Sequence, residues 1–178
     1  MNKNSVAIIS LCSHICASSV LPLEANEWSE LALVLMEKRI QPADLLEYSY
    51  NDFIEKIGAS EQYAKRLIDL INRTASLYFE LSKYENMGIR VVTRADDMYP
   101  KRVKKALGNS CPPLFYYAGD LSIFNRENVQ ILEENQPTEI TNDIPAVKFA
   151  KSIMKEMKST ATVKNIQKRK LLIMSQRI

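Results

Sequence analysis

The apolar pattern of the chain changes period at Gly88, and that change bounds what it can fold into. Before Gly88, apolar residues recur at three- and four-residue spacing. Ala64, Leu67, Ile68, Ile71, Ala75, Tyr78 and Leu81 form such a stripe, which predicts a long helix from a Ser60 cap to about Asn86, stopped by Gly88. After it comes "IRVVT" (89–93), short and β-branched, a predicted strand. The 178 residues thus read as helical first and mixed second.

The helical part can be divided by its caps. Residues 5–17 form an apolar helix. In "PLEANEWSELALVLMEKR", Asn26 is placed to cap a helix whose face carries Trp28, Leu31, Leu35 and Met36. Pro42 opens the next helix, where its missing N–H costs nothing. Ser49 and Asp52 make a capping box for "YNDFIEKI", and Gly58 ends it. Residues 1–87 are therefore expected to be a helical domain.

Residues 88–158 are expected to mix strand and helix. Asp96 or Asp97 is placed to cap a small helix with Pro100 in its first turn. "PPLFYYAGDL" predicts a second strand and a turn at Gly119-Asp120, and "VQIL" (129–132) a third strand. Asp143 and Pro145 would start a last helix. Residues 159–178 read as a basic tail with little order, although "KLLIMS" has strand composition.

Composition excludes several classes. An apolar content of 46% with 25% charged residues is ordinary for a globular protein. The four glycines all lie between Gly58 and Gly119, so the last third cannot carry the usual glycine-rich phosphate loop. No stretch approaches the roughly 18 apolar residues of a membrane span. The first 19 residues have a short apolar run followed by small residues, as a signal peptide would, but a single Lys and the Ser13-His14 interruption argue against export. Cys12, Cys16 and Cys111 are read as free thiols, so the cytoplasm is the expected compartment. Cys12 and Cys16 flank His14, yet one helical turn explains their spacing and a fourth zinc ligand is lacking nearby. His14, the sole histidine, lies in an apolar helix and suits a buried role better than a general base. No nucleotide loop, nucleophile elbow or zinc-protease motif occurs. The expectation is a protein that is not an enzyme and holds no cofactor or metal.

Charge points elsewhere. Residues 148–178 hold nine Lys or Arg and one acid, a charge of +8 against +3 for the whole chain, leaving residues 1–147 at −5. Within the expected folded body, Arg90, Arg94, Lys101, Arg102, Lys104 and Lys105 cluster in sequence. At three- and four-residue spacing, 101, 104 and 105 share a helix face. Such a patch either solvates a short helix or meets phosphates, each contact adding salt-dependent affinity. Tyr116 and Tyr117 alternate faces of a strand, which allows one to be exposed for base stacking, though core packing suits both. "EKIGASEQYAKRL" (55–67) has roughly the spacing of a helix-hairpin-helix DNA module, without its second glycine and with Glu61 where an anion would approach, so a plain helix–helix corner is the simpler reading.

The order of motifs in "GIRVVTRADDMYPKRVKKALGNSCPPLFYYAGDL" resembles the DNA-processing protein A (DprA, or Smf) family. The shared features are a short strand with a following Asp97, Tyr99-Pro100, Pro112-Pro113, and an apolar strand ending Gly119-Asp120-Leu121. "PLEANEW" and "EKIGASEQYAKRLIDL" are similar to that family's helical domain. The resemblance covers about residues 5–124. It implies a mainly α chain: an N-terminal helical domain of SAM or helix-hairpin-helix type, then a partial α/β Rossmann-like element. It also implies binding of single-stranded DNA in natural transformation, with a RecA-type recombinase or a DprA-like homologue as partner and no membrane. The family's Gly-Ser-Arg and Ser-Gly-Gly segments have no counterpart here: Glu133-Glu134-Asn135-Gln136 stands where the first would follow. The resemblance therefore implies a truncated relative with weak DNA binding through the 90–105 patch and the tail. The alternative is a protein-interaction module docking a relative or the recombinase.

Overall fold

The computed structural model of the chain describes residues 1–15, 20–108, 111–121, 129–133, 161–165 and 170–175. Helices come first: α1 (Lys3–Cys12), α2 (Ala25–Glu37), a 3-10 helix at Pro42–Glu47, α3 (Tyr50–Asp52) running into a π turn at Phe53–Ile57, α4 (Glu61–Asn72) and α5 (Thr74–Asn86). Then follow β1 (Ile89–Thr93), α6 (Lys101–Leu107), β2 (Leu114–Ala118), β3 (Val129–Glu133), β4 (Ala161–Asn165) and β5 (Lys170–Ser175). The described residues are mainly helical.

Local chemistry sets most of the boundaries. Ser49 and Asp52 cap each other's backbone N–H groups, Ser60 caps α4, and Pro42 sits in the first turn of the 3-10 helix. Gly58 ends the π turn at φ +79°, a left-handed conformation that a side chain would resist. Three expectations shift. The cap of α2 is Glu24, boxed with Glu27, rather than Asn26. Met36 is exposed, whereas Trp28, Leu31 and Leu35 are buried and Ala32 and Val34 pack partly against the core. The predicted long helix breaks at Arg73, which reaches across with two nitrogens to the carbonyls of Ser10 and Ser13. Leu70 and Leu77, seven residues apart on one face, are buried, while Ala75 and Tyr78 of the predicted stripe are exposed.

The sheet runs β1-β2-β5-β4-β3, and every neighbouring pair is antiparallel. This corrects the parallel ladder that a Rossmann-like element implies. Four residues join β4 to β5, far short of the crossover that parallel neighbours need. Of the residues beyond Ser159, those described form β4 and β5, the latter being the "KLLIMS" segment with strand composition. β2 is buried on both faces, so the backbone groups it turns away from β1 need partners, and β5 supplies them. The predicted helix from Asp143 lies outside the described residues.

One apolar cluster joins Ile8, Leu11, Trp28, Leu35, Phe53, Leu67 and Leu70 of the helices to Ile89, Leu114 and Tyr116 of the sheet. A second, smaller cluster on the opposite sheet face holds Val92, Phe115 and Tyr117 against Tyr99, Cys111 and Leu121, with Val103 of α6 packed on it. β1 and β2 thus lie between the helical domain and a layer built around α6.

Candidate nucleic-acid interface

The placement of the six predicted cations follows from the register of β1. Ile89 stands opposite Ala118, Val91 opposite Tyr116 and Thr93 opposite Leu114. These residues face the helical domain, since Ile89, Leu114 and Tyr116 belong to its core and the Thr93 hydroxyl lies 2.9 Å from the Ser5 hydroxyl of α1. Alternation then sends Arg90, Val92 and Arg94 to the other face, the one that α6 covers. Val92 is buried there, while Arg90 is exposed and Arg94 half-buried. On α6, Val103 turns inward and Lys101, Lys104 and Lys105 are exposed. The side chain of Arg102 lies outside the described part. Five of the six predicted cations therefore belong to one layer. Among the described residues, none of the ion pairs involves any of these five.

The turn between β1 and α6 is held by Asp96. Its Oδ2 accepts from the Thr93 N–H at 2.8 Å and from the Thr93 hydroxyl at 2.9 Å. Its Oδ1 accepts from the Ser5 hydroxyl at 2.6 Å and from Asn2 Nδ2 at 3.1 Å. Asn2 in turn caps α1 by accepting from the Ser5 N–H. Asp96 was expected to cap the small helix, as Asp97 was. Instead Pro100 holds the cap position of α6, and Asp96 pins the start of that layer to the helical domain. Sequence reasoning missed this role because two of the four contacts, to Ser5 and Asn2, reach residues about ninety positions away.

Both tyrosines of β2 are buried, so neither offers a stacking platform. Tyr116 shares a 2.7 Å hydrogen bond with Ser13, and burial pushes its hydroxyl above the ordinary tyrosine range. On the α6 face, Tyr99 donates to the Pro112 carbonyl at 2.8 Å and lies 2.9 Å from the Cys111 sulfur. Burial, then that sulfur, raises the Tyr99 pKa well above normal.

The other candidates resolve separately. Cys12 is fully buried, and burial pushes its thiol up. Cys16 lies outside the described residues. His14 is exposed, yet partial desolvation of its ring lowers its pKa from 6.5 despite Glu24 at 4.0 Å. Among the described residues no group of three or more His, Cys, Asp and Glu could hold a metal ion. No described helix is long and apolar enough to cross a membrane. The "EKIGASEQ" corner places Gly58 and the Ser60 cap as a helix–helix junction, with Lys56 tied to Asp52 at 2.7 Å.

Comparison with protein-family models, with curated proteins and with solved structures gave no match.

Proposed function

We infer that the chain is a DprA-like DNA-binding protein that meets the phosphates of single-stranded DNA through Arg90, Arg94, Lys101, Arg102, Lys104 and Lys105. The observation that carries this reading is the register of β1, which turns Arg90 and Arg94 to the side that bears the exposed lysines of α6. Cations gathered on one layer can neutralise neighbouring phosphates together, and each contact releases counterions. With Tyr116 and Tyr117 buried, the contact is to backbone rather than bases, so binding is weak, salt-sensitive and indifferent to base sequence. The helical domain and the hand-over to a RecA-type recombinase belong to the same resemblance-based reading.

Fluorescence anisotropy with a labelled single strand at low salt tests it. The wild-type chain should bind, and a triple Lys101→Glu, Lys104→Glu, Lys105→Glu variant should bind far less. The slope of log K against log salt should flatten by about 0.7 for each phosphate contact removed. No binding at low salt, or an unchanged slope in the variant, defeats the reading.

A further inference from the structure

Among the described residues β1 is an edge strand, with β2 on one side only. The direction of its backbone groups can be deduced. The Arg94 N–H donates to the Pro113 carbonyl at 2.9 Å, which makes Arg94 a hydrogen-bonded pair with β2. In an antiparallel ladder such pairs alternate, so Arg90 and Val92 also bond to β2, and Ile89, Val91 and Thr93 turn N–H and C=O outward. Thr93 confirms the parity: its N–H donates to Asp96 Oδ2, and its carbonyl accepts from the Asp96 N–H at 2.9 Å. The outward edge is thus closed at Thr93 and presents the main-chain groups of Ile89 and Val91.

A cleft of about 400 Å³ follows this edge. Leu81 and Tyr84 of α5 line its helical side, and Met1 and Met98 stand exposed at its rim. Glu85 lies at the Ile89 end, where its carbonyl accepts from the Gly88 N–H. Asp97 lies at the Thr93 end.

We propose that the open edge of β1 docks an extended peptide of a partner protein by strand addition, with an acidic residue opposite Arg90 flanked by apolar residues opposite Ile89 and Val91. On this edge, the residue facing Arg90 occupies a non-hydrogen-bonded pair, where side chains approach most closely and a carboxylate meets the guanidinium. Its neighbours point to the helical side, toward Leu81 and Tyr84. Glu85 and Asp97 at the two ends disfavour further acids, so the recognised segment has one central acid rather than an acidic run. A second copy of this chain fits poorly. Two-fold pairing about Arg90 sets two guanidiniums face to face, and pairing about Val91 requires the groups of Thr93 that Asp96 already holds.

The test is fluorescence anisotropy of the full chain with a labelled, end-blocked Thr-Val-Glu-Val-Thr peptide. Binding is expected, and backbone N-methylation of the two Val residues should weaken it about tenfold or more, the loss of a main-chain hydrogen bond or two. Val91→Pro should weaken it similarly, because proline removes an outward N–H that the β1–β2 ladder does not use. Arg90→Glu should reverse the preference toward a Thr-Val-Lys-Val-Thr peptide. The N-methylated peptide keeps the proposal falsifiable if Val91→Pro fails to fold. No binding of the parent peptide, equal binding of its N-methylated form, equal binding of an all-Glu peptide, or a dimer that Val91→Pro dissolves would each overturn it.

Discussion

Replacing Asp96 by Ala removes the carboxylate that ties α1 to the turn between β1 and α6. Its four contacts do not count equally. Ser5 and Thr93 are both fully buried. After the change, the Ser5 hydroxyl still reaches Asn2 Oδ1 at 3.0 Å, the Thr93 hydroxyl still reaches Ser5, and Asn2 Nδ2 still reaches the Ala95 carbonyl at 3.2 Å. The Thr93 N–H, however, loses its Asp96 Oδ2 acceptor. An orphaned buried N–H costs about 1–3 kcal/mol, and the charge-assisted bonds lost beside it add more, so Asp96→Ala should destabilise by about 3 kcal/mol. Asp96→Asn keeps one oxygen but sets an amide against the Thr93 N–H or the Ser5 hydroxyl, at about 2 kcal/mol. Ser5→Ala removes a single donor at about 1 kcal/mol. Urea unfolding reads all three. With a slope near 2 kcal/mol/M, the Asp96→Ala midpoint should fall by about 1.5 M. A loss under about 1 kcal/mol for Asp96→Ala, or a reversed order of the three, would refute the reasoning that the carboxylate is the joint.

Three further outcomes follow from single sites. The imidazole of His14, read by NMR, should titrate below 6.5 because partial desolvation outweighs Glu24; folded His14 binds its proton more weakly than unfolded His14, so stability should decline as pH falls below 6.5, and a midpoint at or above 6.5 contradicts this. Arg66 grips both oxygens of Glu27, at 2.5 and 2.9 Å, and holds that carboxyl below 4.5; its stabilisation is present above pH 4.5 and lost as pH drops through the folded value. Arg66→Lys, which loses the two-point grip, should cost about 1 kcal/mol at neutral pH and flatten that acid limb in pH-dependent urea unfolding. Gly58→Ala meets no atom within 4 Å of the new Cβ, so its cost is conformational, about 1 kcal/mol by thermal or urea unfolding, and a neutral result would argue against the left-handed turn.

Elements whose signals are local could be read from the residues alone. The Ser49–Asp52 box, the Ser60 cap, the Gly58 stop and the bounds of β1 all arise from side chains bonding or shaping the backbone a few residues away. That Trp28, Leu31 and Leu35 face inward could be read as well, because helical periodicity is a property of the segment. Features that depend on distant partners emerged with the packed fold. Arg73 splits the long helix because its targets, Ser10 and Ser13, lie in and just after α1. Tyr116 and Tyr117 are both buried because β2 is covered on both faces, whereas alternation alone would leave one free. The antiparallel order follows from which strand reaches β2's second edge, and "KLLIMS" carries no mark of that address. The cations were legible as residues in a run. That Arg90 and Arg94 share a side with α6, and that Ile89 and Val91 open a strand edge, rests on a hydrogen-bond register fixed by residues more than twenty positions apart.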